Sequence, residues 1–340
     1  MIAEHVTAPT PTQPPRLSDE ARRNFAVVVP ALDEVENIPD LVRELRGTFE
    51  KHNLQGSVIL VDDGSTDGTG DLARQYAAEW PLLRVLVHRR NRGKTEAMVT
   101  AAEATDAKWL VLFDADLQHS PEEIPRFLEK LDEGWDIVTG RKVGVYEKRL
   151  VSSTYNRLSR AIFSIPVSDT NSMKAFRRDI LDELRLRHDW HRFFVVLAYA
   201  QGYSATEIDI TLYPRRAGEA KYAGKGRIVI GLLDLLSVGF FVFFSRKPMV
   251  MFGMSGLFTA VLGLLVGIVT IILRMGPHSW MPPFGFRPLL YLVIMLEVVG
   301  FLMFGFGFVA ELIAQQQAEL DAMHRKLSAR LEGRRDDVAR

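Results

Sequence analysis

Residues 109–120 read WLVLFDADLQHS. Trp109 to Phe113 is an apolar run with the length and bulk of a strand buried on both faces, the kind found in sheets covered by helices. At its end Asp114, Asp116 and Gln118 occupy alternate positions, so an extended chain would put all three side chains on one side. Two carboxylates and an amide oxygen form a hard-oxygen set suited to Mg²⁺ or Mn²⁺ carrying a diphosphate, whereas Zn²⁺ would favour His or Cys. The plainer reading of an isolated D-x-D is a strand that ends in a polar turn. The rest of the chain decides between the two.

Upstream, Phe25 to Pro30 reads as a buried strand, and Ile38, Leu41, Val42, Leu45 and Phe49 then recur at helical spacing. Between them Asp33, Glu34 and Asn37 crowd the strand's carboxyl end, where an acidic helix start is the alternative. Ser57 to Val61 is a second strand, running into the turn-rich segment Asp62 to Thr69. Acceptors at the mouth of a parallel sheet suit a nucleotide, and a solvated loop fits equally well. A third strand, Arg84 to Val87, leads to Arg89, Arg90, Arg92 and Lys94 around Gly93, just before a helix from about Thr95. Cations beside a helix N-terminus are a way to hold phosphate, although G-x-x-x-x-G-K-[ST] is absent and a solvated surface is the alternative. After the opening stretch come a helix over Pro121 to Gly134, with Ile124, Phe127, Leu128 and Leu131 as its stripe, and a fifth strand over Asp136 to Thr139. Strands alternating with helices predict an α/β fold with a mostly parallel sheet. No G-x-G-x-x-G is present, which disfavours a dinucleotide-dependent enzyme.

The segments VVVPALDEVENI, VDDGSTDGT, NRGKTEAM, LFDADLQHSPEEI and DIVTGR, in this order and spacing, resemble family 2 glycosyltransferases of the GT-A fold. More narrowly, the chain is similar to the dolichol-phosphate mannose synthase and bacterial polyprenyl-phosphate glycosyltransferase group, over roughly Phe25 to Ala314. The resemblance implies that Pro30, Ala31, Asp33, Glu34 and Asp63 hold the base and ribose of a sugar nucleotide. Lys94, Asp114, Ala115 and Asp116 complete the donor site, and Asp114, Asp116 and Gln118 are the implied metal set for Mg²⁺ or Mn²⁺. Arg141 corresponds to a phosphate-facing arginine. Asp33 stands where Asn is usual, which leaves UDP and GDP donors both open.

The acceptor half begins with a basic segment from Val143 to Ile165, in which Arg149 matches an arginine used on the lipid phosphate and a solvated helix face is the alternative. SDTNSMKAFRRDIL is one residue shorter than the related family stretch, so Asp169, Asn171 and Ser172 align only to within one position. His191 and Arg192 precede an apolar helix, and a lone His of this kind is more often structural than catalytic. Glu207 to Tyr213 alternates like a strand and delivers PRRAGEAKY, similar to the family's R-x-x-G-x-S-K loop, with Arg216 and Lys221 as its cations and Gly218 as a source of mobility. A polyprenyl phosphate (undecaprenyl or dolichol phosphate) is already ionised near neutral pH and has little need of a general base. The expected chemistry is in-line displacement with inversion. Asp116, Arg141, Arg149, Arg216 and Lys221 would act as catalytic residues, and Asp169 would serve only if a base is required.

The chain has 340 residues, a formal net charge of zero and no cysteine. Thiol chemistry and Cys-ligated metal are therefore excluded, and no basic field argues for nucleic acid. Charge nearly vanishes between Ile228 and Ala314. Met249 to Leu273 carries none, which exceeds the roughly 20 residues needed to span a bilayer. A second span runs from about Pro288 to Ala314 and contains Glu297, which must face a helix, a headgroup or a neighbouring subunit. The expected division is as follows: 1–23, a disordered arm without a signal peptide; 24–226, the catalytic domain; 227–247, an interfacial amphipathic segment; 248–274 and 288–314, transmembrane helices joined by a short external loop at 275–287; and 315–340, an amphipathic tail. Two spans and the basic tail predict an inner-membrane, multi-pass protein with catalytic domain and tail in the cytoplasm. Tail residues Leu320, Met323, Leu327 and Leu331 recur at helical spacing and suit either a homo-oligomer contact or packing on the domain. The rival readings are a processive polysaccharide synthase, whose Q-x-x-R-W is missing, and a membrane-anchored nucleotide-sugar binding protein without turnover.

Overall fold

The structure, a computed structural model, describes residues 15–143, 165–169, 172–184, 193–214, 216, 248–277 and 285–338. The chain divides into two units, Met1–Gly231 and Leu232–Arg340. In the first, helix α1 (Asp19–Arg23) precedes β1 (Phe25–Ala31), α2 (Ile38–Lys51), β2 (Ser57–Asp62), α3 (Thr69–Glu79), β3 (Leu83–Val87) and α4 (Lys94–Glu103). Then follow β4 (Trp109–Leu112), a 3₁₀ turn at Pro121–Glu123, α5 (Ile124–Asp132), β5 (Ile137–Val143), β6 (Lys174–Arg177), α6 (Asp179–Glu183), α7 (Phe194–Ala200) and β7 (Ala205–Thr211). The seven strands form one sheet in the order β3-β2-β1-β4-β6-β5-β7. All neighbours are parallel except β6, which runs antiparallel between β4 and β5.

The expected α/β architecture is therefore present, and its causes are visible in the chain. Strands β1, β2 and β4 are buried almost throughout, because helices cover both faces. The stripes read from α2 and α5 are the ones buried: Ile38, Leu41, Val42, Leu45 and Phe49 on α2, and Ile124, Phe127, Leu128 and Leu131 on α5. Parallel strands put their carboxyl ends along one rim, and β1, β2 and β4 bring Asp33, Asp63 and Asp114 there.

Two expectations are corrected, and one strand is added to them. Residues 15–23 do not belong to a disordered arm. Ser18 caps α1 by accepting from the Ala21 N–H at 3.1 Å and donates from its own N–H and hydroxyl to Asp132, each at 2.8 Å, while Ala21 is fully buried. The fifth strand continues to Val143, past the expected end at Thr139. Strand β6 lies inside the motif-like stretch SDTNSMKAFRRDIL, where four residues flanked by charge carry no period of their own. Arg149, Asn171, Gly218, Lys221, the interfacial segment 227–247, and the segment holding His191 and Arg192 lie outside the described residues.

In the second unit, α8 (Pro248–Met275) and α9 (Arg287–Val338) are packed against each other. Each contains a stretch long and apolar enough to cross a membrane, and little of either stretch is buried. The expected tail is not a separate short helix, because α9 runs through it without interruption. Small residues set the contact: a Cβ on Gly256 would lie 2.6 Å from the Gly300 carbonyl, and one on Gly300 would lie 2.8 Å from the Ala260 nitrogen. Glu297 lies against α8, its Oε1 3.0 Å from where a Gly263 Cβ would stand. Glu311 accepts from the Met249 N–H at 3.1 Å, so a carboxylate of one helix caps the first turn of the other. Gly256→Val is expected to lower the stability of this pair by about 1–3 kcal/mol through overpacking. Gly305→Val, whose Cβ meets nothing within 4 Å, should be neutral, and thermal unfolding in detergent compares the two.

Candidate active site

The rim of β1 and β2 is laced by side chains that the loops themselves supply. Asp33, at φ 46°, donates its N–H to Ser65 Oγ and accepts from the Thr66 N–H, both at 2.8 Å. The Glu34 N–H donates to Thr69 Oγ1 at 2.8 Å, and the Glu34 carboxylate takes the Asn37 amide at 2.6 Å. The two segments read as nucleotide-binding therefore form one surface. Pro30 and Ala31 end the strand beneath it, with the Ala31 carbonyl accepting from the Asp63 N–H at 2.8 Å.

Asp63 is only 4% exposed. Its Oδ1 is 2.6 Å from His88 Nδ1 and accepts from the Arg92 N–H at 2.9 Å, while its Oδ2 accepts from the Gly93 N–H at 2.7 Å. His88 in turn reaches Thr100 Oγ1 on α4 at 3.0 Å. The basic loop is thus fastened from below. Gly93 at φ +90° turns the chain so that Lys94 begins α4, and Lys94 pairs with Asp114. His88 was not singled out in the sequence, because nothing local marks a histidine after a strand as the partner of a carboxylate 25 residues earlier.

The acidic motif differs from the extended form expected of it. The chain turns after Phe113, Leu117 adopts φ 53°, and Asp116 Oδ1 accepts from the Gln118 N–H at 3.2 Å. Alternation therefore does not align Asp114, Asp116 and Gln118; they lie along a turn instead. The Asp114 side chain is 43% exposed, and Asp116 is buried with Ala115 beside it. Among the described residues no three His, Cys, Asp or Glu side chains converge as a metal cage. Two carboxylates and an amide fit a hard ion that takes its remaining oxygens from a diphosphate or water.

Beyond β4, the ends of β5 and β6 carry a second polar group. Lys142 Nζ lies 3.5 Å from the buried Asp169, and Lys174 is 2% exposed. Burial and the repulsion of Lys94 lower the Lys174 pKa to about 7, against the opposing pull of Asp169 and Asp114. Burial, helped by Lys142, lowers His119 to about 4, so its imidazole is neutral at physiological pH. His119 Nδ1, Thr139 Oγ1 and Ser172 Oγ are buried without a protein partner. Asp169 and Ser172 belong to the stretch already read as part of the acceptor half, whereas Lys142, Lys174, His119 and Thr139 were not expected there, yet Lys142 had a legible signal. It follows Arg141 on a strand, and successive side chains face opposite sides of a sheet. Arg141 is held on the other side by Asp209, at 2.5 and 2.9 Å, and by Glu207 at 3.1 Å. Arg216 likewise pairs with Glu44 at 2.5 Å and Asp40 at 3.4 Å on α2.

An open α/β sheet with one antiparallel strand inserted beyond β4, an acidic turn on its rim and a cationic loop beside it has the layout of the GT-A fold. The model of the family "Glycosyl transferase family 2" matches residues 26–195, and the chain belongs to that family. The dodecaprenyl-phosphate galacturonate synthase of Rhizobium johnstonii is 31% identical over 88% of this chain and 90% of its own length. An undecaprenyl-phosphate 4-deoxy-4-formamido-L-arabinose transferase of Enterobacter sp. is 32% identical over 86% of each chain. Among solved structures, glucosyl-3-phosphoglycerate synthase from Mycobacterium tuberculosis in complex with Mn²⁺, UDP-glucose and phosphoglyceric acid shares the fold at TM-score 0.53 and 19% identity, covering 68% of this chain and 88% of that one.

Two outcomes are expected from these contacts. Asp63→Asn leaves a loop N–H without its acceptor and should cost about 1–3 kcal/mol of stability, read by thermal unfolding. The folded pKa of His119 lies below its unfolded value, so the stability it contributes is present above pH 6.5 and lost as pH falls towards about 4. His119→Gln should therefore flatten the decline in unfolding temperature across that window relative to wild type.

Proposed function

We propose that this glycosyltransferase moves a sugar from a UDP- or GDP-linked donor onto a polyprenyl phosphate, with inversion at the anomeric carbon, at the cytoplasmic face of the inner membrane. The observation that carries this reading is one chain that combines an acidic rim ringed by lysines with two membrane-length helices. Relatives whose similarity extends over nearly the whole chain bear the names of polyprenyl-phosphate sugar transferases, which supports a lipid acceptor. The bound nucleotide and Mn²⁺ of the M. tuberculosis synthase support a divalent ion on the same fold.

On this reading Pro30, Ala31, Asp33, Glu34 and Asp63 form the wall for base and ribose, with Asp63 acting chiefly by holding the loop that carries Lys94. Asp114, Asp116 and Gln118 hold Mg²⁺ or Mn²⁺, which when bound neutralises the leaving diphosphate. Lys94 and the first N–H groups of α4 take diphosphate oxygens. The sugar is assigned to the side of β4 towards β6 and β5, a reading supported by the polar group of Lys142, Asp169 and Lys174 there. Lys142 takes the phosphate-facing place that the resemblance gave to Arg141, since Arg141 is engaged by Asp209 and Glu207. Arg149 and Lys221 keep their roles towards the lipid phosphate, whereas Arg216 fastens its segment to α2. The incoming phosphate is already ionised, so these residues position two anions and screen their repulsion, and no side chain has to remove a proton.

Full-length protein in detergent, incubated with Mg²⁺ or Mn²⁺, undecaprenyl phosphate and labelled UDP- and GDP-sugars in turn, should yield a lipid-linked sugar from one donor. Failure with every donor overturns the reading. Asp116→Ala should lower turnover at least about a hundredfold while the protein remains folded by circular dichroism.

A further inference from the structure

Three lysines stand around the acidic turn, and they differ in their freedom to move. Lys174 is 2% exposed and Lys142 is paired with buried Asp169, whereas Lys94 has a side chain 30% exposed and ends on Asp114, itself 43% exposed. Such an open ion pair is worth little by itself and exchanges readily. The backbone beneath it does not share that freedom. The Gly93 N–H is bound to Asp63 Oδ2 at 2.7 Å and the Arg92 N–H to Oδ1 at 2.9 Å, so the backbone leading into Lys94 is tethered while its side chain is partly open to solvent.

We propose that Lys94 is the resident counter-ion of Asp114 and competes with the divalent cation for that carboxylate, so that ion and nucleoside diphosphate bind as a unit. This rests on the donor-site reading given above. An ammonium on Asp114 and a divalent cation on the same carboxylate repel each other strongly at contact distance. A cation arriving alone must therefore displace Lys94 into solvent, with no anion to receive it. A cation arriving with a diphosphate brings the anion, and Lys94 exchanges a carboxylate oxygen for a phosphate oxygen at the N-terminus of the ten-residue helix α4. Each charged group then keeps a partner of opposite sign, the carboxylate with the divalent cation and the ammonium with the phosphate.

Mn²⁺ binding without nucleotide, followed by electron paramagnetic resonance of the free ion, and UDP and GDP binding in saturating Mn²⁺, followed by calorimetry, test this on wild type, Lys94→Met and Lys94→Arg. Lys94→Met should bind Mn²⁺ alone about fivefold more tightly and the nucleoside diphosphate about tenfold more weakly, opposite signs that a purely structural lysine would not give. Lys94→Arg keeps the charge and should leave binding of Mn²⁺ alone as in wild type. Unchanged or weaker Mn²⁺ binding in Lys94→Met, or an equal shift in Lys94→Arg, overturns the inference while leaving the donor site intact. Wild type that binds neither Mn²⁺ nor any nucleoside diphosphate overturns the donor site and this inference together.

Discussion

A carboxylate removed from water must find its hydrogen bonds inside the protein, and Asp63 finds them in backbone that belongs to another loop. That requirement organises the donor side of the sheet. Because Asp63 gathers the amides of Arg92 and Gly93, the basic loop has one place to be, and α4 begins where Lys94 meets the acidic turn. Gly64, with φ +79°, permits the approach: a Cβ there would lie 2.5 Å from the Arg90 carbonyl carbon. The rim is thus a set of carboxylates each partnered in a different way, by amides and an imidazole at Asp63, by a part-exposed ammonium at Asp114 and by a more buried one at Asp169.

What could be read from the sequence followed from period and order. Buried strands, the stripes of α2 and α5 and the apolar spans each repeat a simple pattern, and their sum defines a parallel sheet followed by membrane-length helices. The site was legible as a neighbourhood: Asp33, Asp63, Lys94 and Asp114 come together on one rim because parallel strands end there. The direction of individual side chains was not legible. Arg141 and Lys142 are adjacent cations, and only the pleat and the acids of β7 decide which of them leaves the rim. The Asp114 to Gln118 turn reads as extended in the sequence because a positive φ at a leucine leaves no trace in composition. Strand β6 escaped for a related reason, since an antiparallel insertion of four residues is specified by its neighbours rather than by its own period.

The helical pair of the second unit solves its own version of the buried-charge problem. Glu311 takes up a free N–H at the start of α8, and Glu297 lies against Gly263, where the lack of a side chain leaves room for it. Each acid is accommodated at the helix contact, the part of such a pair least exposed to hydrocarbon. The glycines at 256 and 300 bring the backbones close enough for both arrangements.

Helix α9 continues from its apolar half to Val338 with no break. At the rise of an α-helix, the part beyond Gln316 is about 33 Å long. As one unbroken helix this part is a ruler rather than a tether, its heading set by the apolar stretch that it continues.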